Sequence, residues 1–390
     1  MTKKIHVWPK EPIEDDGYIT VSAIIEGPES DCERFWYRLP AEFSCCMAKD
    51  SDVFLLGTIF KAMRNSADLV IHGQVSATLL RNLVEFQSVW NSWRCDRYTV
   101  IDITVESERK QTQYGRGDTA VSAFSGGVDS CFTIFRHSNG TCGRLKENIE
   151  AAMLVHGFDI PIEEKDAFER TAVNSKRIVE SLGKKLITIS TNFRQLGDDW
   201  EDAHGAAIAS ALTLLSGGFS KGLIASTEPY NDLVLPWGSN PVTDFLLSSD
   251  AFSVIHDGAS FNRNDKIHAI LSWPEAMRYL RVCWQGHQRD RNCCQCEKCI
   301  RTILNFRSIG AGLPECFPRD VSDRQITALR GLNSVQAAYL KEILSKAKAA
   351  GIEKSWVKAL EKCLKLNQSR GYSQLFSLKS KIMTRAGVGV

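Results

Sequence analysis

The sequence predicts an α/β protein in which a parallel sheet carries helices on both faces, with an α+β extension before it and a helical region after it. Three observations carry this. From Thr119 to about Ser226, strand-length apolar runs alternate with helical patterns, the order that builds a parallel sheet with crossover helices. The first of those runs, Ala120–Phe124, passes through a glycine-rich turn into a helical pattern reaching Phe135. Beyond Pro314 only helical spacing remains, over Val335–Ala350 and Ser355–Leu366 with Gly351 between them. The expected domains are therefore 1–115, 116–312 and 313–390.

In the first region Tyr18–Ile25 alternates as a strand and Phe35–Leu39 forms another. Ser76 is placed to cap a helix whose apolar face includes Leu79, Leu83, Phe86 and Trp90, and Tyr98–Val105 alternates again. No catalytic constellation stands out: His72 beside Gly73, and the pair Cys45 and Cys46, read first as packing. The polar stretch Glu106–Asp118 reads as a linker.

The chemistry concentrates in the turn Ser125-Gly126-Gly127-Val128-Asp129-Ser130. Two glycines let the backbone take φ > 0 and turn successive N–H groups toward one point. The helix that follows adds its unpaired first-turn donors and the positive end of its dipole, so the expected ligand is a polyphosphate. Ser125 and Ser130 add hydroxyls, and Asp129 beside a phosphate makes sense with Mg²⁺ between them. The closing Gly-Lys-Ser/Thr of a Walker loop is missing. Further strands are expected at Ala151–Val155, Lys185–Ser190 and Leu223–Ser226, with helices at Ala167–Leu182 and from Glu201 to Leu215. Ligands of open α/β sheets bind beyond the carboxyl ends of the strands. That places Asp159 among the nucleotide-binding candidates, and His204, near a helix start, among the substrate-binding ones.

Residues 227–265 read as a long irregular segment rich in aromatic and apolar residues, hence a lid or substrate pocket containing Asp244. At its end Arg263 and Lys266 enter a helix where they would stabilise charge on departing pyrophosphate. Next comes Cys283, nine residues, Cys293, two residues, Cys296, two residues, Cys299. Two-residue spacers with a fourth thiol returning across a loop suit a closed four-cysteine site for Zn²⁺, an iron–sulfur cluster being the other occupant such thiolates accept. Cys294 is the spare. A closed site leaves no open position for water, so this metal is expected to be structural. The lysines after Pro314 read as a solvated face, and the last residues, MTRAGVGV, as a frayed tail.

The hexamer Ser125–Ser130 resembles the signature of the PP-loop ATP pyrophosphatases, also called adenine nucleotide alpha hydrolases. With the cysteine knuckle, residues 119–305 look most like 7-cyano-7-deazaguanine synthase and its relatives in bacterial defence islands. The resemblance implies ATP bound by Ser125, Gly126, Gly127, Asp129 and Ser130, and zinc bound by Cys283, Cys293, Cys296 and Cys299. It also implies a carboxylate, a deazapurine-type acid, adenylated with loss of pyrophosphate and passed to ammonia or a protein amine, as in queuosine-like biosynthesis or anti-phage defence. Catalytic roles then fall to Asp129, Ser130, Arg263 and Lys266. The sequence departs from that family in its first 115 residues, its helical C-terminal region and the pocket segment Tyr230–Phe261. The added regions would suit a protein or tRNA acceptor. Two other functions fit the same loop: a tRNA sulfurtransferase, for which Cys131 is the best-placed thiol, and a non-catalytic nucleotide-sensing module.

Composition narrows the setting. The chain has 390 residues, a formal charge of +2 and 13 cysteines. The charge gives no argument for or against nucleic acid. The stretch MTKKIHVWPKEP lacks the apolar core of a signal peptide and no apolar run reaches membrane-spanning length. The expected location is cytoplasmic, with no membrane partner and a homo-oligomer admissible.

Overall fold

The computed structural model describes residues 3–28, 31–110 and 117–367. They fall into two compact units, Met1–Trp284 and Gln285–Val390.

The first unit is built on one ten-stranded sheet. Its strands are β1 (Lys4–Asp15), β2 (Tyr18–Glu26), β3 (Cys32–Pro40), β4 (Asp68–Ser76), β5 (Ile103–Arg109), β6 (Ala120–Ala123), β7 (Ile149–His156), β8 (Lys185–Thr191), β9 (Lys221–Ala225) and β10 (Ser253–Asp257). They lie in the order β10-β9-β6-β7-β8-β3-β2-β1-β4-β5. The sheet is mostly parallel, the antiparallel pairs being β1–β2, β2–β3 and β3–β8. The helices of this unit are α1 (Asp52–Asn65), α2 (Ala77–Trp93), α3 (Val128–Ser138), α4 (Lys165–Glu180), α5 (Trp200–Thr213), α6 (Arg263–Ile270) and α7 (Pro274–Tyr279). The class is α/β, and no helix among the described residues is long and apolar enough to cross a membrane.

The expected boundary near residue 115 falls inside this unit. β3 pairs with β8 through Tyr37↔Thr191 and Arg38↔Ser190, so the first 110 residues continue the sheet instead of standing apart from it. The seam is closed behind the strands. α1 packs on α5; the buried Tyr37 and Ser210 hydroxyls meet at 2.8 Å, and Ser210 Oγ donates to the Val53 carbonyl at 2.6 Å. Gly57 is needed here because a Cβ would collide with the Phe35 ring. A second aromatic core joins α1 to α2, where Phe60 stands edge-on to Phe86 and Trp90, all fully buried. Each such phenylalanine contributes about 2–3 kcal/mol on leaving water.

The expected linker is partly strand: β5 extends to Arg109, and residues 111–116 lie outside the described residues. Arg109 closes a buried ionic cluster. Its guanidinium pairs with Asp50 at 3.1 Å, Asp52 at 3.3 Å and Asp250 at 2.9 Å. Asp250 also accepts from Ser76 Oγ at 2.5 Å, which ties the segment before β10 to the cap of α2.

The second unit holds α8 (Glu297–Ser308), α9 (Asp323–Ala328), α10 (Ser334–Ala349) and a helix over 355–367. This places the division at 284/285, earlier than the expected 312/313. α8 packs on α10, with the Arg301 guanidinium 4.6 Å over the Tyr339 ring. Lys346 and Lys348 pair with Glu342 and Glu361 at 3.0 Å, the behaviour of a solvated charged face. The stretch read as a frayed tail lies outside the described residues.

Candidate functional site

β6 stops at Ala123 and α3 starts at Val128, so Ser125–Gly127 form the turn between them. Gly126 has φ +74°, the left-handed conformation that disfavours a side chain. Gly127 is the N-cap of α3 and offers no side-chain oxygen to the first-turn N–H groups. The serines brace the turn. Ser130 Oγ accepts from the Ser125 N–H at 3.3 Å and donates to the Gly127 carbonyl at 3.2 Å, and Ser125 Oγ accepts from the Gly127 N–H at 3.3 Å.

Arg281 holds the same turn from outside. Its N–H donates to the Gly126 carbonyl at 2.8 Å, and its guanidinium donates to the Ser125 carbonyl and to the Cys283 carbonyl, each at 3.2 Å. The same guanidinium lies 3.5 Å from Asp159, whose side chain is 43% exposed. Sequence reasoning places Asp159 near the loop but gives Arg281 no role; its only signal is its position two residues before Cys283.

Asp129 opens the first turn of α3 and meets two cations from α6. Arg263 Nη1 donates to its Oδ2, and Lys266 Nζ lies 3.3 Å from its Oδ1. Lys266 is 1% exposed and donates to the Ser226 carbonyl, just past β9, at 2.5 Å. Burial lowers its pKa against the opposing pull of Asp129. The entry angle of α6 is set by a capping box in which Asn262 and Asp265 satisfy each other's backbone donors. Behind α3, the buried Asp257 at the end of β10 accepts from Thr133, Arg136 and His137 at 2.7, 2.6 and 3.1 Å. Burial would raise the Asp257 pKa, but the His137 bond and the Arg136 charge outweigh it and hold the group below its ordinary value. The acid and the two basic candidates of the sequence thus converge where the glycine turn enters its helix.

Asp244 and His204 are joined to each other through Ser239. Ser239 N–H donates to His204 Nε2 at 3.2 Å and its hydroxyl donates to Asp244 at 2.7 Å. His204 Nδ1 then donates to the Trp200 carbonyl at 2.9 Å, which fixes a neutral tautomer, and burial lowers its pKa. Asp244 is fully buried and also accepts from His256 at 2.8 Å and the Asn240 N–H at 3.1 Å. In this structure both side chains organise the turn over 237–244.

Cys283, Cys293, Cys296 and Cys299 bring their sulfurs within 4.8 Å of one another. Cys296 is also the N-cap of α8, accepting from the Cys299 N–H at 3.4 Å. Four convergent thiols fit a tetrahedral ion such as zinc, which would hold the knuckle together and leave no position for a reacting water. Cys294, which is not among the four, is buried with φ +56°, and its thiol donates to the Asn292 carbonyl at 3.8 Å. No protein-family model, no curated protein and no solved structure matches this chain.

Proposed function

We propose that this protein is an ATP-dependent enzyme that adenylates a carboxylate and passes the acyl group to a nitrogen nucleophile. The observation that carries the reading is the convergence of Asp129, Arg263 and Lys266 at the mouth of a glycine turn between a parallel strand and a helix. In this reading the backbone N–H groups of the turn Gly126–Asp129 and the Ser125 and Ser130 hydroxyls hold the pyrophosphate part of ATP. A carboxylate oxygen of the substrate attacks the α-phosphorus, the bond to pyrophosphate breaks, and its electron pair leaves with pyrophosphate. Arg263 and Lys266, already buried and aimed at one carboxylate, stabilise the charge that develops there. Magnesium, when bound, would draw charge from the phosphates, and in this reading Asp129 would hold it. The amine then adds to the acyl carbon, loses its proton, and AMP leaves. The chain contributes position and charge rather than a nucleophile of its own.

The resemblance points to a deazapurine-type acid as the acyl donor, with ammonia or a protein amine as acceptor. Sulfur transfer is less favoured because Cys131, its best-placed thiol, is fully buried in α3. The test is release of pyrophosphate and AMP from α-labelled ATP with Mg²⁺, using 7-carboxy-7-deazaguanine, ammonia and bulk tRNA, with Asp129→Ala as control. Release that needs the acid and disappears in the variant supports adenylation. Release that needs only tRNA moves the assignment to RNA modification, and bound ATP with no release under any condition makes the protein a nucleotide sensor.

A further inference from the structure

At the β5 end of the sheet the side chains sort by parity. Ile5 and Val7 on β1 and Leu69 and Ile71 on β4 are buried, whereas His6, Trp8, Val70, His72, Thr104 and Glu106 stay half-buried or exposed on the other face. There Trp8 and His72 lie face to face, ring centroids 3.2 Å apart and 4° from parallel. His6 stacks on His72 at 5.2 Å, with its Nδ1 2.9 Å from His72 Nε2. The indole edge is pinned as well, Trp8 Nε1 donating to Glu26 at 3.3 Å. The result is a preset aromatic wall.

A cavity of about 440 Å³ opens against this wall, lined by Trp8, Val70, His72, Thr104 and Glu106. Its position follows from a bulge. Ile71 pairs with Val105 and Gln74 with Ser107, so His72 and Gly73 together stand against Glu106 alone. Gly73 is required there because a Cβ would collide with Ser51 Oγ. Burial and the neighbouring His6 make His72 harder to protonate. Glu106 is the acidic group of the cavity lining, and it forms no hydrogen bond or ion pair among the described residues. Its strand is also the last in the sheet order, with Thr104, Glu106 and Glu108 exposed along it.

We propose that this cavity and the adjoining edge of β5 bind an arginine side chain presented by an extended basic peptide of a partner protein. The planar guanidinium stacks on the Trp8–His72 wall and donates to Glu106 through two N–H groups, and the peptide backbone pairs with the side of β5 that no described strand occupies. Lysine has no plane to stack and no fork to match a carboxylate. The acidic edge selects basic peptides and repels acidic ones. This site shares no residue with the nucleotide turn and stands whether or not the protein consumes ATP.

The test is fluorescence anisotropy of a labelled five-residue peptide alternating threonine and arginine, titrated with the full chain, beside its lysine and citrulline counterparts. Arginine is expected to bind tightest, and neutral citrulline, which keeps the shape without the charge, at least tenfold more weakly. Glu106→Gln is expected to weaken the arginine peptide about tenfold or more, and Trp8→Leu to do so more than Trp8→Phe. Both residues are exposed, so unchanged melting of the variants separates lost binding from lost fold. Equal binding of arginine and citrulline peptides, an unaffected Glu106→Gln, or no binding at millimolar peptide would each overturn the proposal.

Discussion

Replacing Lys266 with methionine separates a catalytic cation from a structural one. The lysine is 1% exposed, and its ammonium bonds to the Ser226 carbonyl at 2.5 Å and faces Asp129 at 3.3 Å. Removing it takes a donor from a buried carbonyl and one of the cations from Asp129, which costs about 1–3 kcal/mol. Methionine fills a similar volume without the desolvation of a buried ammonium, a penalty of several kcal/mol that the wild-type chain carries. These effects oppose each other, so net stability should change by less than about 2 kcal/mol, a melting shift of about 2–4 °C per kcal/mol in a unit of this size. In the proposed reaction nothing offsets the loss at the phosphates. Removal of one preorganised donor of this kind lowers turnover about 10²- to 10³-fold. Pyrophosphate release and thermal melting, measured on the same preparation, give both numbers. A variant that melts like wild type and turns over within threefold of it would refute the placement of Lys266 at the α-phosphate, and a variant that fails to fold would make the lysine a structural tie.

Gly126→Ala should cost about 1–2 kcal/mol, because φ +74° is poorly tolerated by a side chain while the space itself is open, the nearest atom being Ser175 Oγ at 3.7 Å; urea unfolding gives the cost, and ATP titration should show affinity falling more than tenfold. Asp52 is pushed up to about 7, first by burial and then by Asp50, against the bond from the Ser76 N–H and the charge of Arg109. Its raised folded value means that stability present below about pH 4 is lost as pH rises toward 7, at up to about 1.4 kcal/mol per pH unit. Asp52→Asn should flatten that decline in urea melts between pH 4 and 7, and parallel curves for the two proteins would refute it. Elemental analysis should find about one zinc per chain, and Cys296→Ser should lower it toward zero together with thermal stability; a metal-free wild type that melts unchanged with added zinc would remove the metal from the account.

Periodicity made the central strands and the helix capped by Ser76 legible, because apolar runs bounded by polar turns hold their meaning whatever packs on them. The same logic missed β1, where Pro9 and Pro12 interrupt the alternation, and β10, five residues inside a segment that reads as loop. It missed α1 because Val53–Phe60 is apolar nearly throughout, the signature of a helix buried on all sides, which carries no stripe to detect. The domain boundary was illegible for a different reason. Nothing in β3 announces that its partner is β8, since only two residue pairs join the two strands. At the candidate site, Asp129, Arg263 and Lys266 were legible singly from residue type and position. Their convergence was not, because it depends on where α6 comes to rest against α3. Arg281 escaped because its work is done on carbonyl oxygens, which have no residue-specific mark.

The seam between β3 and β8 bears on how the chain comes into being. The Thr191 hydroxyl reaches the Trp36 carbonyl at 2.9 Å across 155 residues of sequence, and Ser210 reaches Val53 across 157. Contacts of that span close large loops before they return any energy, which slows folding. On a ribosome adding about 5–20 residues each second, the first 110 residues would wait many seconds with the outer edge of β3 unpaired before β8 emerges. Residues 116–284 expressed alone would have the mirror-image defect, a bare β8 edge and an α5 face without α1. The region before the glycine turn shares one sheet with the rest of its unit, and truncation to residues 116–284 should yield aggregate rather than folded protein.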